Sequence, residues 1–258
     1  MPNAFQLAEA TAALSARLRA NGCSIEQTVD FAKIDAEMSL MEKGKMSLEN
    51  NWLYSDLTPA NAFYVVVRNA ERKPIAMCAV RNYQLRNETL TGFLDRQYSR
   101  LYGNGENALD TSMMPPVSDE ITGSVVYLGD FFVGREGRVS KEFNNSDFIL
   151  LVYGLSMMQF DPDWLFGFAR HRDAARGLMA TYFMTRCYPF ALNWKIETPT
   201  RQDSDWIIGM NRRDLTYLLD IFSAGRLRPV NAVELVTNKS ESPQRQSEYE
   251  QEAKAADR

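Results

Sequence analysis

The stretch Ser124–Val133, Ser-Val-Val-Tyr-Leu-Gly-Asp-Phe-Phe-Val, constrains the fold of this chain more than any other segment. Its near-unbroken run of β-branched and aromatic residues suits a strand covered on both faces, because a half-exposed strand alternates apolar with polar side chains. A strand buried on both sides needs one layer above it and another below. The expected architecture is mixed α/β, with helices flanking a central sheet.

The surrounding segments extend that expectation. Phe63–Val67 and Ile75–Val80 read as strands, and the polar link Arg68–Pro74 makes them an antiparallel hairpin. Leu90, Phe93, Leu94, Tyr98 and Leu101 recur at helical spacing within Glu88–Leu101, and a loop rich in Asp, Ser, Met and Pro follows. After the central strand, a polar turn (Gly134–Asn145) leads to a helix opened by Ser146 and running to about Phe160. Trp164–Ala169, Phe190–Ile196 and Asp205–Met210 then read as strands, with helices over Asp173–Cys187 and Arg213–Phe222. From residue 62 to Met210 the order is β-β-α-β-α-β-α-β-β, so strands are joined both by hairpins and by helical crossovers.

Upstream, Leu7, Ala10, Leu14 and Leu18 predict a helix over Ala4–Ala20, ended by Asn21-Gly22. Ser24 with Gln27 three residues later forms a capping-box pattern, which predicts a second helix to about Lys43. The expected organisation is an N-terminal helical extension over residues 1–60, packed on a main domain over 61–235. Residues 240–258 are charged and nearly devoid of apolar side chains, a composition that predicts a disordered tail.

Composition mainly excludes. The 258 residues are 45% apolar and 24% charged, ordinary globular values. A formal charge of −4 argues against a nucleic-acid binder. No stretch approaches the roughly 18 apolar residues of a membrane span. Met1–Gln6 lacks a basic region before an apolar core, so a cytoplasmic protein is expected. Cys23, Cys78 and Cys187 are too widely spaced for a disulfide framework or a metal pair, and Cys187 is expected as a small buried apolar residue. His171 is the single histidine, which rules out a histidine-rich metal site; no metal is expected.

The element order, together with three local matches, resembles the GNAT superfamily of N-acetyltransferases over roughly residues 60–211. Tyr127-Leu-Gly-Asp-Phe-Phe-Val133 is similar to that family's central fourth strand. Val133-Gly-Arg-Glu-Gly-Arg138 resembles the run that closes this strand and opens the pyrophosphate loop. Phe166-Gly-Phe-Ala-Arg-His171, followed by Ala174, Leu178 and Tyr182, resembles the fifth strand and the tyrosine-bearing helix. The chain departs from the family after Arg138, where Lys141 and Phe143 occupy positions usually held by Gly or Ala. The branch of N-acyl amino acid and acyl-homoserine-lactone synthases also carries loose forms of this motif. Trp164, Phe166 and Phe168, with the many methionines, suit either a lipid-sized pocket or a core.

The resemblance implies an N-acyltransferase that moves an acyl group from acetyl-CoA or a longer acyl-CoA to a small-molecule or amino-acid amine. Two alternatives stay open: a synthase fed by an acyl carrier protein, and a non-catalytic binding or regulatory module. It also implies that the fourth and fifth strands diverge beyond their middles. Phe131, Phe132 and Val133 would then offer backbone to the pantetheine amides, and Arg138, Val139, Ser140 and Lys141, with Arg135, would meet the cofactor phosphates. Tyr182 would protonate the leaving thiolate, Asp130 would anchor or deprotonate the amine, and His171 would contact substrate. Each residue also has a plain structural reading. Asp130 suits a buried pair with an arginine or an exposed strand end, Tyr182 a packed ring, His171 a cap or surface residue, and the basic turn a solvated loop.

Overall fold

The computed structural model describes residues 4–198 and 201–225. Seven strands form one sheet: β1 (Ser24–Thr28), β2 (Ala62–Arg68), β3 (Pro74–Leu85), β4 (Gly123–Val133), β5 (Trp164–Ala169), β6 (Arg186–Tyr188) and β7 (Trp206–Asn211). Their order is β1-β2-β3-β4-β5-β7-β6, which puts the apolar strand β4 at the centre. All neighbours are antiparallel except β4 and β5, which run parallel. A parallel pair needs a crossover, and α5 (Arg135–Val139) and α6 (Asn145–Phe160) supply it.

Both faces of β4 are covered, as its composition requires. On one face, Val126 joins Phe63, Val65, Cys78 and Leu165 beneath α6 and α1 (Ala4–Ala20). On the other, Val125 and Tyr127 pack with Leu90, Phe93, Leu94 and Tyr98 of α3 (Leu90–Leu101). A third cluster on this second face gathers Met38, Met41, Met46 and Met77 around Tyr64, beneath α2 (Ile34–Leu40). The methionines are therefore core filler there, and Phe166 is core too. α9 (Arg212–Ser223) closes the first face through Leu215, Leu218, Leu219 and Phe222. Among the described residues no helix is long and apolar enough to cross a membrane.

Several segments differ from the sequence reading. The helix expected from Ser24 is instead strand β1, paired with β2 from Ser24–Arg68 to Thr28–Tyr64; only Ile34–Leu40 of that stretch is α-helix. Pairing to an open sheet edge supplies hydrogen bonds that the local capping pattern cannot match. The helix expected over Asp173–Cys187 breaks into α7 (His171–Ala174) and α8 (Leu178–Tyr182) at Gly177, whose φ is +87°. Cys187 lies in β6 and is exposed, so it is not a buried filler. The strand expected over Phe190–Ile196 is irregular chain with a single bridge, Leu109–Trp194. The polar turn after β4 contains α5, and Asn144 rather than Ser146 caps α6. The tail from 240 lies outside the described residues.

Candidate functional site

The candidate site begins where the central pair of strands stops pairing. β4 and β5 are matched from Val125–Trp164 to Leu128–Gly167 and no further. Beyond that rung, Phe132 and Val133 pair with Met77 and Ala76 of β3, while Phe168 and Ala169 pair with β7 alone. A gap therefore opens between the two strands toward their C-terminal ends.

A β-bulge accounts for the divergence. Gly129 faces Ala79 and Phe132 faces Met77, so Asp130 and Phe131 together oppose the single residue Cys78. An extra residue of this kind bends its strand and increases its twist. Asp130 takes φ +47°, a left-handed conformation that costs a non-glycine residue roughly 1–2 kcal/mol. Gly129 beside it has no room for a side chain: a Cβ there would sit 2.1 Å from Asn50 Nδ2.

The strained conformation is held by a buried polar clamp. Asp130 accepts hydrogen bonds from Lys43 Nζ at 2.6 Å, Ser47 Oγ at 2.7 Å and Asn50 Nδ2 at 2.9 Å, with Ser47 N–H at 3.3 Å. Burial acts to raise the pKa of this carboxyl, but the Lys43 ammonium and the hydrogen bonds outweigh it and hold the pKa below the usual carboxylate range. The buried partner is thus a lysine, where the sequence suggested an arginine.

On the α6 side of the gap, the Tyr182 ring meets the Phe131 ring edge-on at 4.9 Å. Its carbonyl accepts from the Tyr153 hydroxyl at 2.7 Å, which fixes the end of α8. Burial pushes the Tyr182 phenol pKa well up, so the group stays protonated at neutral pH. Its hydroxyl has no hydrogen-bond partner among the described residues.

The turn at the mouth of the gap is tightly folded on itself. Arg138 donates to the Val133 carbonyl at 2.5 Å, and its guanidinium lies 6.0 Å from the Phe132 ring centre. The N–H groups of Arg138 and Ser140 are taken by the Gly134 and Glu136 carbonyls. Those of Glu142 and Phe143 go to Ser140 Oγ, and that of Asp147 goes to the Asn144 side chain. Phe143 is buried in the first core, while Arg135, Arg138, Val139 and Lys141 are exposed. His171 is exposed at the far end of β5, where its Nδ1 accepts from Trp206 Nε1 at 3.1 Å. Its ring lies 5.3 Å from that of Phe190.

The structure also brings together residues that the sequence did not single out. Glu49, 2% exposed, accepts from Arg201 Nη2 at 3.1 Å and from the Tyr102 hydroxyl at 3.0 Å. Arg201 also donates to the Tyr127 hydroxyl and stacks 4.8 Å from the Phe168 ring centre. Arg81, buried on β3, donates to the Glu49 carbonyl. No local pattern announces this cluster, because Glu49 and Arg201 lie 152 positions apart.

No family model and no curated protein matches the chain. Among solved structures, an N-acyl amino acid synthase from uncultured soil microbes aligns at 10% identity and a TM-score of 0.45, over 78% of this chain and 98% of that one. NAA60 of Arabidopsis thaliana, in complex with acetyl-CoA, aligns at 6% identity and a TM-score of 0.44, over 73% and 98%. A spermidine N-acetyltransferase from Vibrio cholerae aligns at 8% identity and a TM-score of 0.42, over 76% and 96%. The chain's own strand order, its single parallel pair and the gap beyond that pair's last rung make the fold GNAT-like.

Proposed function

We propose that this chain is an N-acyltransferase that takes an acyl group from a pantetheine thioester lying between β4 and β5 and passes it to an amine. The loss of β4–β5 pairing after Leu128–Gly167 carries the reading. Mid-sheet backbone without a strand partner needs other hydrogen-bonding groups, and a pantetheine arm brings two amides at comparable spacing. Phe131, Phe132 and Val133 supply that edge, and Asp130 with its clamp keeps it turned outward.

The reaction follows from this placement. The amine nitrogen attacks the thioester carbonyl carbon, the C–S bond breaks, and its electron pair leaves on sulphur. Tyr182 donates its phenolic proton to that thiolate and is reprotonated from solvent, while the attacking nitrogen releases its own proton to water. Burial keeps the Tyr182 phenol protonated at neutral pH, so the proton is in place, and the same burial penalty on the thiolate forming beside it would drive the transfer. His171 lines the β5 side of the mouth as a substrate contact. The cytoplasm, where such thioesters are made, is the compartment this reading implies.

The turn favours a donor carried by an acyl carrier protein over free acyl-CoA. A diphosphate is bound by free backbone N–H groups at a helix start, and here those of Arg138, Ser140, Glu142, Phe143 and Asp147 are occupied internally. Arg135, Arg138 and Lys141 on one side of the mouth, beside Glu136 and Glu142, and Arg170 and Arg176 on the other are exposed, which leaves the rim net basic on a chain whose net charge is −4. Such a basic rim complements an acidic carrier surface.

The test is thiol release from acyl-pantetheine, acyl-CoA and acylated carrier protein in the presence of a panel of amines. Release is expected, fastest with the carrier, and Tyr182→Phe should lower kcat by about 100-fold with little change in donor KM. Equal rates in wild type and variant would return Tyr182 to a packing role. Absence of release with every donor would overturn the reading.

A further inference from the structure

We propose that Glu49 and the ring faces of Tyr127 and Phe168 form a cation subsite for the amine acceptor, and that Arg201 is its tethered occupant. Its role as an acceptor site rests on the acyltransferase reading; its capacity to bind a cation does not.

The geometry defines what the site recognises. The Arg201 guanidinium lies 3.1 Å from one Glu49 carboxylate oxygen, 4.8 Å from the Phe168 ring centre and 5.9 Å from that of Tyr127. It also donates to the Tyr127 hydroxyl. A carboxylate, two π faces and a phenol oxygen around one charge is the chemistry that binds a guanidinium or alkylammonium group. Tyr102 donates to the second Glu49 oxygen and Arg81 to its carbonyl, so the carboxylate is held in place independently of Arg201. Behind it lies a cavity of about 10 Å³, where the Gln97 Nε2 atom is buried without a hydrogen-bond partner.

Position links this cage to the gap. Phe168 is the first residue of β5 beyond the last rung shared with β4, and Tyr127 belongs to the rung before that one. The cage therefore sits at the closed end of the gap, on the sheet face opposite the core that Tyr182 packs against. An acceptor whose cation fills the cage would extend its other, uncharged amine into the gap, toward a thioester carbonyl at the closed end. Arg201 also lines an open cavity of about 450 Å³ with Trp194, Lys195, Glu197 and Gln202. This cavity is the space into which the guanidinium turns when an acceptor cation replaces it.

The probe is agmatine, which carries the guanidinium of Arg201 on a short chain ending in a primary amine. Its binding would be measured by calorimetry, with no thioester present, to wild type, Arg201→Ala, Glu49→Gln and Phe168→Leu. Saturable binding to wild type is expected, about tenfold tighter in Arg201→Ala because the competing side chain is gone. Binding should be lost in Glu49→Gln and weakened severalfold in Phe168→Leu, which keeps an apolar side chain and removes the π face. Binding by Arg201→Ala but not by wild type would show an internal ion pair only and overturn the proposal. So would binding that survives in both Glu49→Gln and Phe168→Leu, or no binding anywhere. Agmatine binding without thiol release in any amine assay would keep the subsite and remove the acyltransferase; thiol release without agmatine binding would do the reverse.

Discussion

Two buried ion pairs flank Gly129 on the same face of the sheet, and residues 43–50 give one partner to each. Lys43 goes to Asp130, and Glu49 goes to Arg201. The first pair is built around a backbone conformation: its carboxylate sits at a bulge with φ +47° and is wrapped by Lys43, Ser47 and Asn50. The second is set among aromatic rings, joins chain segments distant in sequence, and borders an open cavity. Equal burial thus hides unequal jobs. The first charge holds a strained bulge beside the gap, whereas the proposed subsite asks the second to exchange its partner through the bordering cavity.

Substitutions at the two acids should separate these roles. Asp130→Ala strands the Lys43 ammonium in the interior and removes the clamp, so urea unfolding should show a loss of about 3–5 kcal/mol. Asp130→Gly should recover about 1 kcal/mol of that loss, because glycine adopts the left-handed conformation freely. Equal losses for the two variants would mean that the bulge carries no backbone strain. Glu49→Gln should cost less, about 1–2 kcal/mol, since Arg201 can turn into the adjacent cavity and regain water. A Glu49 variant as unstable as Asp130→Ala would erase the contrast.

Acid titration sharpens it further. The folded-state pKa of Asp130 is depressed, so its contribution is present above the unfolded value of about 3.9 and is lost as pH falls through the lower folded value. Asp147 and Asp205 behave oppositely: burial, only partly offset by Arg17 and Arg201 respectively, raises their pKa. Their ionised forms cost stability at neutral pH, and acidification relieves that cost. The stability gap between wild type and Asp130→Asn should therefore narrow below about pH 4. A gap that stays constant to pH 2 would mean that the clamp does not depend on the charge.

The layers of the fold were legible wherever burial and periodicity agree. The mostly apolar strand had to be central, and Leu7, Ala10, Leu14 and Leu18 do face the core from α1. Legibility failed where long-range pairing or one backbone angle decides. Ser24 and Gln27 are polar in the manner of a helix start, but they are equally the outward residues of an edge strand. Gly177 sits mid-pattern in an otherwise helical run, and only its left-handed φ shows the break. Asp130 was visible as a carboxylate among apolar neighbours, yet its partners come from 80 to 87 residues upstream. Glu49 and Arg201 carried no local signal, because their pairing exists only once two distant segments meet above β4 and β5.

The most direct measurement is the shift of backbone amide NMR signals when an acyl-pantetheine is titrated into the protein. Occupation of the gap predicts saturable shifts concentrated at Phe131, Phe132, Val133 and Phe168, with the Tyr182 side chain responding in step. Saturable shifts confined to other parts of the molecule, with those amides unmoved, would contradict the account.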